Sequence, residues 1–275
     1  MQDRKALQSG TSHFLGQNFA RASEIKFQTT DETEEYVWTT SWGSSTRMIG
    51  GVIMSHGDDD GIILPPRVAS AHVVLMPIIR KPDDKQKVME YVTSLAAQLQ
   101  EQYYHHRRLV VEIDSRDIGG SRGWDWIKKG IPLRVEVGPR DIASNSVFVG
   151  RRDKAHSEKV SIERDQFMAQ ITDMLDDIQK NIYERALSFR QDHTVTIDDP
   201  EAFYDYFTPQ NAEKPEIHGG FALSSWCGNE ACETKIKDDL AVTIRCIPLE
   251  SLGDKGPCIC CGKPGEHRVV FAKAY

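Results

Sequence analysis

With 275 residues, 39% of them hydrophobic and 27% charged, the chain has the size of about two globular domains and the composition of a folded protein. No apolar run approaches a membrane span, the longest being Val73 to Ile79, and Met1 to Lys5 carry no apolar signal core. The expectation is a cytoplasmic protein with no membrane partner. A net charge of −7 argues against indiscriminate nucleic-acid binding, yet residues 105–164 hold 13 Lys/Arg against 9 Asp/Glu. That local excess suits a phosphate-contacting face and equally suits a solvated surface with uneven charge.

Residues 1–70 are rich in Gly, Ser and Thr, with one aromatic strand expected over Tyr36 to Thr40 and too few regular elements for an independent domain. Leu64-Pro65-Pro66-Arg67 breaks the chain, because paired prolines fit neither a helix interior nor a central strand. From His72 to Arg80 an apolar, β-branched run reads as a buried strand. Val88, Tyr91, Val92, Leu95, Leu99 and Tyr103 then recur at helical spacing. Strands follow at Leu109–Ile113, Leu133–Val137 and Ser146–Arg151, with a short helix over Trp124–Lys129 ended by Gly130. A long amphipathic helix carries Phe167, Ile171, Met174, Leu175, Ile178 and Ile182 on one face. This alternation predicts a layered α/β domain with a sheet that is at least partly parallel. Residues 190–215 are polar and acidic and read as a linker with one short helix, Glu201 to Phe207.

All six cysteines fall in the last fifty residues. Cys227 and Cys232 form one close pair and Cys258 and Cys261 another, which is the pattern of a tetrahedral Cys₄ zinc site. Gly228, Pro257 and Gly262 supply the turns that aim two thiolates from each pair at one point. Cys260 is an alternative ligand, and Cys246, isolated on an apolar run, reads as a packed core residue. Four thiolates leave no open coordination position, so the expected zinc is structural.

Two polar segments precede the α/β region. Ser41-Trp42-Gly43-Ser44-Ser45-Thr46-Arg47 sets small and hydroxylated residues before an arginine, so backbone can approach a nucleotide and the guanidinium can stack or bind phosphate. A helix-capping turn explains the same pattern. Gln8-Ser9-Gly10-Thr11-Ser12-His13 either lines a polar pocket or makes a turn.

Taken in order with His56-Gly57-Asp58-Asp59-Asp60-Gly61, Leu64-Pro65-Pro66-Arg67, Val135-Glu136-Val137-Gly138-Pro139-Arg140-Asp141, the cysteine pairs and the final tyrosine, these segments resemble the prolyl-tRNA synthetases of the archaeal/eukaryotic-like type. The resemblance covers essentially the whole chain and places it in the C-terminal portion of such an enzyme. It implies three parts. Residues 1–70 would be a remnant of the class II antiparallel catalytic sheet with motif 3, residues 71–188 a layered α/β anticodon-binding domain with a mixed sheet, and residues 189–275 a small α+β zinc-binding domain.

The resemblance further implies that Arg47 is catalytic, set against the adenine and terminal phosphates of ATP with Ser45 and Thr46 beside it. Gln8 and Thr11 would contact ATP and its Mg, and His13, Trp42 and Gly43 would wall the proline pocket. Glu136, Arg140, Arg151 and Arg152 would meet the anticodon of tRNA(Pro), the carboxylate accepting from guanine donors. Cys227, Cys232, Cys258 and Cys261 would hold the zinc, and the end of the chain at Tyr275 would lie towards the active site.

No motif 1, which builds the homodimer interface of the parent enzyme, and no motif 2, which supplies the arginine on the α-phosphate, is found before Gln8. A parent enzyme would carry a further domain of roughly 150 to 200 residues upstream. The expectation is therefore a fragment of a proline-tRNA ligase that does not activate L-proline alone. The alternatives are a non-catalytic tRNA-binding or regulatory module derived from a synthetase, and an unrelated zinc-ribbon nucleic-acid-binding protein.

Overall fold

The computed structural model describes residues 1–209, 211, 219–250 and 255–275. Residues 55–192 form one compact unit, and residues 1–54 with 193–275 form the other.

The first segment holds β1 (Thr11–Gly16), α1 (Asn18–Ala22), β2 (Lys26–Gln28), β3 (Glu34–Tyr36), β4 (Thr39–Gly43) and α2 (Arg47–His56). β1 pairs antiparallel with β4, and β2 with β3. The strand expected at Tyr36–Thr40 is two strands instead. Between them the Val37 N–H turns to the Ile25 carbonyl, and Trp38 stacks on Phe14 with ring centroids 5.5 Å apart. Phe14, Trp38, Trp42 and Ile49 are all exposed, and none of residues 1–54 belongs to a buried hydrophobic cluster among the described residues.

The central unit is α/β. Its elements are β5 (Val73–Pro77), α3 (Lys85–Gln100), β6 (Tyr103–Tyr104), β7 (Arg107–Arg108), β8 (Val111–Ile113), α4 (Ser121–Lys128), β9 (Leu133–Val137), α5 (Pro139–Ala143), β10 (Ser146–Arg151), β11 (Lys159–Glu163) and α6 (Arg164–Asp192). The sheet runs β11-β10-β9-β5-β8 and is mixed, with β5 parallel to β8 and β9 while β10 is antiparallel to both of its neighbours, β9 and β11.

Strand side chains alternate between faces. Val73, Leu75, Leu133, Val135 and Val137 face the core built with α3 and α6, where Phe167, Ile171, Leu175 and Ile178 are fully buried. Each such side chain contributes about 1.5–3 kcal/mol by leaving water. The opposite face takes Val74 and Met76, which pack with Ile131 and Trp126. By the same parity Arg134 and Glu136 fall on that second face. Tyr103, expected on the helix, lies instead in β6 and is 58% exposed, because α3 ends at Gln100.

The last segment adds β12 (Thr194–Thr196), α7 (Pro200–Phe207), β13 (Phe221–Trp226), α8 (Glu230–Leu240), β14 (Val242–Cys246) and β15 (His267–Lys273). They form a four-stranded sheet, β12-β13-β15-β14, with β12 parallel to β13 and the other pairs antiparallel. The expected linker is structured through Phe207: Asp199 caps α7 by accepting from the Ala202 N–H at 2.8 Å, and Pro200 occupies the first helical turn. Phe203 and Phe207 pack edge-on with each other, and Phe203 packs edge-on with Phe271 in the core. Residues 210 and 212–215 of that linker lie outside the described residues.

Cys246 corrects an expectation. It is exposed rather than packed, because it ends the edge strand β14, just past a register shift after Ile244. The two segments of this unit meet where Ala6 bridges β15: its N–H donates to Lys273 O at 2.9 Å and its carbonyl accepts from Tyr275 N at 3.1 Å. Among the described residues no helix is long and apolar enough to cross a membrane.

Candidate functional site

Three groups of chemistry-bearing side chains stand out. In the first, α2 starts at Arg47, whose backbone N–H donates to Ser45 Oγ at 3.3 Å. Its guanidinium Nη1 donates to Gln8 Oε1 at 3.2 Å, joining residues 39 apart in sequence. Thr11 lies opposite Gly43 and His13 opposite Ser41, so these four share one face of the β1–β4 pair. Trp42 lies opposite Ser12 and therefore falls on the other face, away from His13 and Gly43. Ser45 and Thr46 are exposed in the turn before α2. Ala6, two residues before Gln8 in the sequence, bridges Ala274 and accepts from Tyr275 N at 3.1 Å.

The second group lies on the second face of the central sheet. Here a cavity of about 570 Å³ is lined by Ile78, Trp124, Glu136, His156, Lys159 and Arg116, among others. Glu136 Oε1 accepts from Lys159 Nζ at 2.5 Å. Trp124 and His156 stand side by side at the rim, ring centroids 4.9 Å apart. The loop leading to α4 is held by Asp114, which is buried and accepts from Trp126 Nε1 at 2.6 Å and from Arg116 Nη2 at 2.8 Å. The Arg116 guanidinium holds the Asp114 carboxyl well below the usual carboxylate range, Trp126 assisting and burial opposing.

Of the four anticodon candidates, Glu136 alone lines this cavity. Arg140 is exposed on α5, whose start is fixed by the Gly138 N–H donating to Asp141 Oδ2 at 2.7 Å. Arg151 lies opposite Leu133, on the core face of the sheet, and its guanidinium is engaged by Asp153 and by Asp177 of α6. Arg152 is buried and donates to Asp58, to the Ile127 carbonyl and to the Gly61 carbonyl. Lys159, Trp124 and His156 went unnoticed in the sequence. Lys159 sits two strands away from Glu136, and no linear spacing reports that.

The third group is the cysteines. The Sγ atoms of Cys227, Cys232, Cys258 and Cys261 all lie within 4.8 Å of one another. Cys227 Sγ is 3.7 Å from both Cys232 Sγ and Cys261 Sγ. Tetrahedral zinc with bonds of about 2.3 Å requires sulfur–sulfur separations of about 3.8 Å, so the four thiols fit such an ion. Cys260 is not a member of this set.

Local structure makes the geometry. Asn229 caps α8 by accepting from Ala231 N at 2.9 Å, which turns Cys232 back towards Cys227. Gly228 between them has φ +77°, and a Cβ there would come within 2.5 Å of Glu266 Oε2. The second knuckle closes through Gly262 N–H to Cys258 O at 2.9 Å and Cys258 N–H to Lys263 O at 2.7 Å. Burial opposes ionisation of Cys258, but backbone N–H groups of Cys261, Cys260 and Cys227 outweigh it and hold the thiol down at about 7.

Comparison with known proteins bears on all three groups. Residues 72–174 match the family model described as an anticodon binding domain, and residues 213–275 the one described as prolyl-tRNA synthetase, C-terminal. Over the whole chain the sequence is 51% identical to "Proline--tRNA ligase 2" of Anaeromyxobacter dehalogenans, 50% to "Proline--tRNA ligase" of Protochlamydia amoebophila and 48% to that of Bdellovibrio bacteriovorus. The chain covers 55%, 54% and 54% of those three proteins, about half the length of each.

Proposed function

We propose that this chain belongs to the prolyl-tRNA synthetase family and is the C-terminal portion of a proline-tRNA ligase, supplying anticodon recognition, a structural zinc module and part of the ATP and proline site. The parent reaction activates L-proline with ATP and Mg and transfers it to tRNA(Pro) in the cytoplasm. The parts are residues 1–70, from the catalytic domain; residues 71–188, which bind the anticodon; and residues 189–275, which bind zinc.

The observation that carries this reading is the Glu136–Lys159 pair at the floor of a cavity in the segment that matches anticodon-binding domains. The Watson–Crick edge of guanine offers one acceptor beside two donors, and a carboxylate beside an ammonium complements it. Trp124 and His156 at the rim suit the stacking of an unpaired base. Arg140, exposed at the start of α5, is free to meet a phosphate or a neighbouring base.

In residues 1–70, Gln8 fixes the Arg47 guanidinium so that it can meet the adenine and phosphates of ATP. Thr11, His13 and Gly43 line the same strand-pair face, leaving room for proline beside the nucleotide. Zinc bound by Cys227, Cys232, Cys258 and Cys261 supplies cross-linking only, since all four positions are filled. Adenylation also requires a cation on the α-phosphate, where charge develops, and these 275 residues hold no motif 2 arginine for it. Homodimerisation belongs to the parent enzyme.

The test runs ATP–pyrophosphate exchange beside tRNA(Pro) binding on this chain. Binding without exchange is the expected result. Exchange at enzyme-like rates would show a complete active site, and absence of tRNA binding would overturn the anticodon reading.

A further inference from the structure

We infer that a second cavity in the central unit, floored by Arg134 and rimmed by Lys154 and Arg185, is a phosphate-oxyanion site. Its volume is about 270 Å³, and it shares only Ile127, Arg134 and His156 with the larger cavity. Four cations line it, Arg134, Arg152, Lys154 and Arg185, against three carboxylates, Asp58, Asp60 and Asp153.

The pairing among these groups is unequal. Arg152 is neutralised by Asp58 through two short hydrogen bonds, at 2.7 and 2.5 Å. Asp153 is taken by both arms of Arg151 and by Asn181 Nδ2 at 2.7 Å. Neither Lys154 nor Arg185 has an ion-pair partner among the described residues, and of the carboxylates only the exposed Asp60 is left to them.

Arg134 is the decisive group. It is 3% exposed, yet its Nη1 has no hydrogen-bond partner. A buried guanidinium with an unmet N–H carries a desolvation cost that an anion would remove. Burial and the nearby Arg152 push its pKa down to about 10, Glu136 opposing, so it stays charged at neutral pH. Its position is fixed from the side: Gly150 lies opposite on β10, and a Cβ there would stand 3.2 Å from Arg134 Nη2. A fixed, buried fork with two long, exposed cations at the mouth matches a tetrahedral dianion or phosphodiester.

Where the ligand is part of an RNA, this inference rests on the anticodon-binding reading, and the site takes a backbone phosphate beside the base held over Glu136. The same chemistry is offered by free phosphate, and the experiment separates the two sources. One arm titrates the full chain with inorganic phosphate at constant ionic strength and follows the thermal midpoint and ³¹P line width. Saturable binding is expected, and it is lost in Arg134→Gln and in the rim variant Lys154→Gln/Arg185→Gln, whose exposed positions keep the test valid if the first variant does not fold.

The other arm measures an anticodon stem–loop RNA across a range of salt. The rim variant is expected to weaken binding about tenfold and to reduce the salt slope by about one, as for one lost phosphate contact. The control Lys87→Gln/Lys180→Gln, which removes two exposed cations elsewhere in the unit, is expected to leave the slope unchanged. Phosphate binding with an unchanged RNA slope assigns the site to free phosphate and supports it as an oxyanion site. Saturable phosphate binding by a chain that binds no RNA also supports the site while removing the anticodon reading. No saturable phosphate binding together with an unchanged slope overturns it.

Discussion

Glu136 and Lys159 lie two strands apart, on β9 and β11, and still form an ion pair at 2.5 Å. Gly150 is the reason. It stands on β10 between Arg134 and Lys159, and a Cβ there would come 3.3 Å from Lys159 Cγ. Without a side chain at this position the lysine lies across the strand, over the Phe148 ring, and reaches the carboxylate.

Glu136→Gln should therefore keep the fold and lose recognition. A partly exposed ion pair contributes about 0–1 kcal/mol to stability, so unfolding midpoints should move little. Binding of an anticodon stem–loop should fall by about 1–3 kcal/mol, and its preference for guanine over adenine should shrink with it. Fluorescence anisotropy with the two RNAs checks this, and an unchanged preference would remove Glu136 from the site.

For the cysteine cluster, purified chain should carry one zinc per molecule, and Cys258→Ser or Cys261→Ser should lose it. Structural zinc in small modules is worth about 10–16 kcal/mol of apparent binding at neutral pH, enough to decide whether the module folds. Cys246→Ser and Cys260→Ser should retain full metal content, since neither thiol belongs to the four-sulfur group. Elemental analysis of the four variants separates these outcomes, and zinc loss in Cys260→Ser would reassign the ligand set.

How much of this was legible in the sequence follows from how local each feature is. The Cys₄ spacing was readable because each knuckle is a tight turn, closed within a few residues by Gly228 or Gly262. β9 and β10 were readable to the residue because β9 alternates apolar and charged residues at strand period and β10 carries the apolar run Val147–Val149. β11 was not: as an edge strand it buries little, and its five residues offer only two apolar side chains, Val160 and Ile162. The same limit hid Lys159, and it misplaced Arg151, since only the register opposite Leu133 reveals that this arginine points to the α6 side. Trp42 and His13 looked like neighbours in one pocket for the same reason.

Acid should weaken the central unit before its carboxylates titrate. His72 is fully buried, its Nδ1 accepts from the Val110 N–H at 2.9 Å, and burial with the nearby Arg107 pushes its pKa down to about 4. The unfolded chain binds a proton on this residue below about 6.5, while the folded one does not until about 4. Stability is thus complete above about pH 6.5 and falls as pH drops towards 4, by on the order of 3 kcal/mol. His56, also lowered by burial and then by Arg185, acts in the same direction. Urea unfolding between pH 7 and 4.5 should show this slope, and His72→Gln should flatten it; an unchanged slope would place the effect elsewhere.

Residues 11–53 should be the first part of the chain to open. The strand pair β1–β4 has no third strand, and the two-stranded β2–β3 stands alone. A two-stranded ribbon is marginal in water without a packed face. Here the large side chains that would make such a face, Phe14 and Trp42 above all, are 73% and 78% exposed. β5 and β9, by contrast, are central strands with fully buried side chains on the core face. Backbone amides of β1 and β4 should accordingly exchange with solvent at least a hundredfold faster than those of β5 and β9, a difference of about 3 kcal/mol in opening free energy. Amide exchange by mass spectrometry reads both regions in one experiment. Equal protection would mean that the apolar side chains of residues 11–53 are covered in solution, by a second copy or by another chain.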